Sequence, residues 1–209
     1  MSTIVYLVRH SKPFKEHLGI VNGDSNVLID NMRRPLSVDG EKMAKEFSTN
    51  YEFDNINEVW SSGYSRCLGT AKYFGYNHNL KVNIDNRLGE RIHGVINSYD
   101  EVHDNFEKNQ LEDENYKLPN GESQKEVGNR MYNALVDIID RNKNKKVVII
   151  SHATSIIFLL KKLGCNIVLN EDYSYNNNVF FNGIPNYLET FKLEFDNDNG
   201  LINIKNIKI

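Results

Sequence analysis

Cysteine is nearly absent: Cys67 and Cys165 are the only two in 209 residues, too few for a disulfide framework or a cysteine-built zinc site. Each stands in a helix-like stretch and reads as a reduced, buried thiol. No apolar run approaches the roughly 20 residues that cross a bilayer, and Met1-Ser2-Thr3 passes straight into an apolar strand without a signal-peptide pattern. A soluble, cytoplasmic protein without membrane contact is expected. Excess positive charge is missing too. The 25 Lys and Arg are outnumbered by 28 Asp and Glu, for a net charge of -3, so extended nucleic-acid binding is not expected, although a small anion pocket needs only a few local cations. No two histidines stand four apart, the helical spacing that metal hydrolases use for paired ligands. Repeats and linkers are also lacking, and 40% hydrophobic content suits one substantial core. One domain over residues 1–209 is therefore expected.

What is present is a recurring strand, loop and helix. Ile4 to Val8, Val59-Trp60-Ser61 and Val147 to Ile150 are apolar runs that read as buried strands, each followed by a turn and a helical pattern. Ser37 opens a helix through Phe47, and Ser65 to Phe74 forms another. In Glu122 to Ile139, Val127, Met131, Leu135 and Ile138 recur at helical spacing and predict an amphipathic helix. Lys81 to Ile84 is a further strand candidate. Glu189 to Phe195 and Leu201 to Ile209 alternate on either side of an Asp-Asn-Gly turn cluster, which predicts a terminal antiparallel hairpin. His17 to Arg34 is polar and Gly- and Asn-bearing and reads as a surface loop. The acidic, Asn-rich stretch from about 95 to 120 reads as a cap over a site, either a helical insertion or a flap. The pattern predicts an α/β fold, a three-layer sandwich with a mostly parallel sheet, helices on both faces and the hairpin at its C-terminal end.

Arg9-His10 follows the first strand directly, and open parallel sheets bind ligands at their carboxyl ends. A fork-shaped guanidinium recognises phosphate or carboxylate, and an imidazole titrating near neutrality serves as nucleophile or proton carrier. Arg66 repeats the logic in the first turn after Ser61-Ser62-Gly63-Tyr64-Ser65, as does His152 between Ser151 and Ala153-Thr154. Glu90, in the Gly-punctuated stretch Arg87 to Gly94, supplies a carboxyl group able to exchange a proton with a leaving oxygen or a water. Taken singly, Arg66 reads as a solvated helix charge, His152 as a helix cap and Glu90 as a surface acid.

Taken in order, these segments resemble the histidine phosphatase superfamily, with its phosphoglycerate mutase-like fold, over nearly the whole chain. Leu7-Val8-Arg9-His10-Ser11 is similar to the family's opening motif, with Ser11 in place of its usual glycine. Pro35-Leu36-Ser37 through Gly40 resembles its next landmark, Ser61 to Ala71 the second-arginine motif with Gly63 replacing a common proline, and Leu88 to Gly94 the acid loop. Gly121-Glu122-Ser123 with Arg130 resembles the helix that follows, Ile150 to Ala153 the closing histidine motif, and Asn182-Gly183-Ile184 the late strand. The resemblance implies a metal-independent, cofactor-free phosphomonoesterase acting on a small phosphorylated metabolite. In it His10 would be the nucleophile, Glu90 the general acid and base, and Arg9, Arg66 and His152 the ligands of the phosphoryl oxygens, with Ser11, Ala153 and Arg91 as further substrate-binding positions. A phosphoglycerate mutase-type transferase remains the alternative within the family. The segment Ile96 to Pro119 holds Lys108 and Lys117 but no arginine for a substrate carboxylate, which favours the phosphatase. A non-catalytic phospho-ligand sensor and a metal-dependent hydrolase are weaker readings. Physiological substrate and oligomeric state are not legible in the sequence.

Overall fold

The computed structural model describes residues 2–15, 26–94, 106–168 and 171–209. The apolar run after Ser2 forms β1 (Thr3–Arg9). Because successive strand side chains point to opposite faces, Val5 and Leu7 enter one apolar cluster while Tyr6 and Val8 enter another. The same split holds in β4 (Lys146–Ser151), where Val147 and Ile149 share a cluster with Val5, and Val148 and Ile150 with Tyr6. Two apolar faces on one sheet require a helical layer on each side.

The first face is covered by α5 (Gln124–Arg141), through Val127, Met131, Leu135 and Ile138, and by α6 (Ala153–Lys162), through Ile156, Leu159 and Leu160. A reciprocal capping box between Ser123 and Glu126 starts α5, satisfying two backbone donors that helix geometry would leave open. The second face is covered by α3 (Ser65–His78), through Cys67, Ala71 and Phe74, with Phe53 wedged edge-on between Tyr6 and Phe74. Outside α3 lies α2 (Val38–Phe47), capped by the Ser37 hydroxyl, which accepts from the Gly40 amide. Each fully buried aliphatic side chain contributes on the order of 1.5–3 kcal/mol, so the two clusters account for much of the driving force.

With β2 (Glu58–Ser61), β3 (Val82–Ile84), β8 (Thr190–Phe195) and β9 (Leu201–Ile207), the main sheet has the order β3-β2-β4-β1-β8-β9. Its first four strands are parallel, and the terminal hairpin joins antiparallel to β1. Register then sets the site. Arg9 lies opposite Ser151, and Ser61 opposite Ile150, so β1, β4 and β2 end at one rim and His10, His152 and Ser62 emerge side by side.

Two expectations need correction, and one set of elements was not read at all. The segment His17 to Arg34 contains a helix, α1 (Asn26–Arg33), rather than loop throughout; residues 17–25 lie outside the described residues. Leu28 and Met32, four apart, were the available signal, and an Arg34–Asp30 ion pair one turn apart supports the helix from its polar side. The stretch expected as a cap contains α4 (Phe106–Glu112), while 95–105 lie outside the described residues. Between α6 and the hairpin, β5 (Asn166–Ile167), β6 (Asp172–Tyr175) and β7 (Asn178–Asn182) form a separate three-stranded antiparallel sheet that sequence reading did not find. The expected late strand stops at Asn182, because Gly183 turns the chain with φ of 103°. Among the described residues no helix is long and apolar enough to cross a membrane.

Candidate active site

At the rim, the chain leaves β1 at Arg9 and places His10 with 4% of its surface exposed. His10 Nδ1 lies 2.7 Å from the Ser11 carbonyl, and a carbonyl only accepts, so this nitrogen carries the proton. The other nitrogen, Nε2, accepts from Arg66 Nε at 3.0 Å. The tautomer is therefore determined by its neighbours: a lone pair sits on Nε2, the atom facing the arginine. Burial, and then the Arg66 charge, hold the His10 pKa well below its ordinary value, partly opposed by the Ser11 carbonyl. The ring is neutral at pH 7.

Arg66 stands in the first turn of α3 and is 5% exposed. One guanidinium joins three distant segments: Nε to His10, Nη2 to His152 Nδ1 at 2.9 Å, and Nη1 to the Asn31 carbonyl of α1. His152 is fully buried, its Nε2 donating to Ser62 Oγ at 2.9 Å. The two imidazoles lie edge to face with centroids 5.3 Å apart. Cys67 packs beneath, its Sγ 3.4 Å from His152 Nε2, and burial pushes its thiol up to about 12. Both cysteines are buried free thiols, as expected.

Arg9 reaches over the rim, its guanidinium carbon 4.6 Å from the centre of the Tyr187 ring and Nη1 donating to the Pro185 carbonyl. Burial lowers its pKa while Tyr187 and Glu90 oppose the shift. Its Nε is buried without a partner. Glu90 is held at the start of α6: Oε1 accepts from the Arg91 and Ser155 amides and from the Ser155 hydroxyl, at 2.9, 3.2 and 3.1 Å. A carboxylate is favoured at that helix end. Among the described residues no donor reaches Oε2, which leaves that oxygen for a ligand. Behind it, Arg130 pairs bidentately with Glu122 and donates to the carbonyls of Arg87, Gly89 and Glu90. This fixes the acid loop against α5.

A cavity of about 240 Å³ opens among Arg9, His10, Asn31, Arg34, Arg66, Glu90 and His93. Four of the five expected catalytic residues line it; His152 reaches it only through Arg66. Asn31 and His93 were not anticipated, the first because its helix was read as loop. Among the described residues, Ser11, Ala153 and Arg91 do not line it. Ser11 is fully buried and donates to the Gly40 carbonyl at 2.8 Å, so its hydroxyl is part of the packing between β1 and α2. Ala153 is the half-buried first residue of α6. Arg91 turns away into the cap, donating to Gln110 and Glu107 of α4 at 2.7 and 2.8 Å beneath Phe106; its charge finds those partners before any ligand.

Burial, aided by the Arg66 charge, also lowers His152 well below the ordinary histidine value. The unfolded chain takes up protons on both rings below about pH 6.5 while the folded chain resists. The stabilising effect is thus complete above that pH and is lost as pH falls toward the folded-state values. Unfolding free energy should drop by up to about 1.4 kcal/mol per pH unit for each ring, read from urea midpoints between pH 6.5 and 5. His152→Gln should show the shallower slope, and an equal slope would contradict it.

The chain belongs to the histidine phosphatase superfamily (branch 1), which it matches over residues 5–177. Two relatives are each named "Probable phosphoglycerate mutase GpmB". That of Escherichia fergusonii is 26% identical over 158 residues, 73% of this chain and 70% of the relative. That of Yersinia enterocolitica is 28% identical over 165 residues, 76% and 74% of the two chains. Among solved structures, a mycobacterial glucosyl-3-phosphoglycerate phosphatase is similar with a TM-score of 0.71 at 17% identity, over 99% of this chain and 97% of that one. A mutant phosphoserine phosphatase from Entamoeba histolytica, in complex with phosphoserine, has a TM-score of 0.65 at 17% identity, over 97% and 96%. These structures share the fold.

Proposed function

We propose that the protein is a metal-independent phosphomonoesterase that works through a phosphohistidine on a small phosphorylated metabolite. The observation that carries this is the single Arg66 fork joining His10 Nε2 and His152 Nδ1 beside a cavity that also holds Arg9 and Glu90. His10 Nε2 attacks phosphorus as the bond to the ester oxygen breaks, and that oxygen takes a proton from Glu90 in its acid form. Water then attacks phosphorus and breaks its bond to Nε2, giving a proton back to Glu90 and releasing inorganic phosphate and neutral His10. The Ser11 carbonyl accepting from Nδ1 steadies the positive charge that the ring gains during transfer. Arg9 and Arg66 neutralise the phosphoryl oxygens, the largest contribution to phosphoryl transfer. His152, lying behind Arg66, holds that fork in place.

Arg66→Lys tests the fork. Lysine keeps the charge, but one ammonium cannot meet the two rings and the Asn31 carbonyl in the same planar geometry. A fall of about tenfold or more in kcat/KM is expected, and an unchanged value would remove Arg66 from the mechanism. Phosphate release across a panel of phosphomonoesters, run in chelator, tests the whole reading. Loss of release in chelator would overturn metal independence. The mutase reading is favoured by the names of the relatives; against it stands Arg91, which follows the acid in sequence but is engaged by Gln110 and Glu107 of α4. Phosphate appearing on a second hydroxyl in place of free phosphate would decide for the mutase.

A further inference from the structure

Beside the first cavity lies a larger one of about 430 Å³, and Glu90 borders both. Tyr64 lines the larger one and packs toward the first, its ring 4.7 Å from that of His152 and beneath the Arg66 guanidinium at 5.1 Å. If Glu90 protonates the departing oxygen, the group attached to that oxygen extends past Glu90 into this space. We infer that the larger cavity is a leaving-group pocket selecting an apolar, uncharged alcohol, such as an alkyl or aryl ester, over one bearing a carboxylate or second phosphate. The inference rests on the phosphatase reading above and names its substrate class.

The lining carries the argument. Leu28 and Met32 of α1 face Tyr64 and Ile92 across it, which gives apolar walls from three separate segments. Two cations border the space, and both are committed. Arg130 has five N–H donors, and Glu122 together with the carbonyls of Arg87, Gly89 and Glu90 takes all five. Arg87 is chelated by Asp85 and paired with Asp137. Glu90 and Glu122 bring negative charge to the same wall. An anionic leaving group would meet carboxylates without a cation to spare among the described residues, and an unpaired charge there is costly. An apolar group meets neither penalty and gains from burial. An apolar cavity of about 150 Å³ accommodates benzene, so this one has room for a substituted ring or a chain of several carbons.

A series of n-alkyl phosphates from methyl to hexyl isolates the effect, because the leaving oxygen keeps nearly the same basicity while the buried chain grows. The expected result is a rise in kcat/KM of about two- to fourfold per methylene, with hexyl phosphate at least about tenfold above 3-phosphoglycerate. Met32→Glu, at a site 42% exposed on α1, should flatten that rise by placing a carboxylate on the wall. Phosphate release that is flat along the series, or that favours 3-phosphoglycerate, would overturn the pocket assignment while leaving the phosphatase intact. A wild-type slope retained in Met32→Glu would also overturn it. Folded protein that releases phosphate from none of the esters would overturn the phosphatase reading itself, and the pocket with it.

Discussion

Alanine in place of His10 should lower phosphate release by at least about a thousandfold, since no other group within the cavity carries a neutral lone pair aimed at the same point. Arg9 and Arg66 are cations that only donate. His93 lies at the cavity edge, where burial and the neighbouring Arg91 charge lower its pKa to about 4, but its Nε2 faces Arg91, which turns toward α4 and does not line the cavity, rather than Arg66. His152 does not line the cavity and lies behind Arg66. The variant should still fold. His10 is buried, yet it borders the open cavity rather than either apolar cluster, so water can fill the space left by the ring. The measurements are phosphate release at saturating ester, quenched-flow trapping of an acid-labile phosphoenzyme, and circular dichroism. Wild-type rates in a folded His10→Ala protein, or an undiminished phosphoenzyme, would end the nucleophile assignment.

Gly40→Ala should destabilise the protein by about 3 kcal/mol or more, the upper range for forcing extra volume into packed structure. Added at Gly40, a Cβ would sit 2.0 Å from the Lys12 carbonyl oxygen and 2.9 Å from its carbon. That carbonyl is backbone and already accepts from the Ser37 amide at 3.0 Å, so the methyl can be admitted only by moving the first turn of α2 away from the segment after β1. The Ser11 hydroxyl would lose its acceptor, the Gly40 carbonyl, in the same movement. Since Ser11 and Lys12 follow His10 directly, activity should fall together with stability. For a chain of this size the loss corresponds to a drop of roughly 6–12 °C in Tm. Ser11→Gly, which gives up the hydrogen bond without a clash, should cost much less. A Gly40→Ala protein melting within about 1 °C of wild type would refute the close approach.

Much of the frame was open to sequence reading because it is local. Apolar runs of four or five residues gave β1 and β4, and helical spacing from Val127 to Ile138 gave α5 nearly to its ends. The alternating tail gave the hairpin, with Asp196 Oδ1 accepting from the Asp198 and Gly200 amides in the predicted turn. What failed were short elements whose stability is borrowed from tertiary contacts. The eight-residue α1 is half polar, and it is tied to the site by the Asn31 carbonyl that Arg66 engages. The small sheet β5-β6-β7 has strands of two to five residues, too short for alternation to stand out. Arg91 shows a different limit. Adjacent to Glu90 in sequence, it looked like a second substrate cation, but neighbouring residues leave an extended loop in different directions and its guanidinium met Glu107 and Gln110 first.

The sequence by itself determined the kinds of chemistry available and where along the chain they sit: a guanidinium and an imidazole at the end of β1, another imidazole after β4, a second arginine after β2, and a carboxyl group in a glycine-bounded loop. Only the tertiary structure decided how those groups divide the labour. Parallel pairing of β1, β4 and β2 in one register brought residues 56 and 86 positions apart onto a single guanidinium, and the hydrogen bonds made there assigned a tautomer to each ring. Local preferences encode strand and helix, whereas proton placement, the partner of each buried charge and the shape of the space beside Glu90 depend on which distant atoms come within about 3 Å.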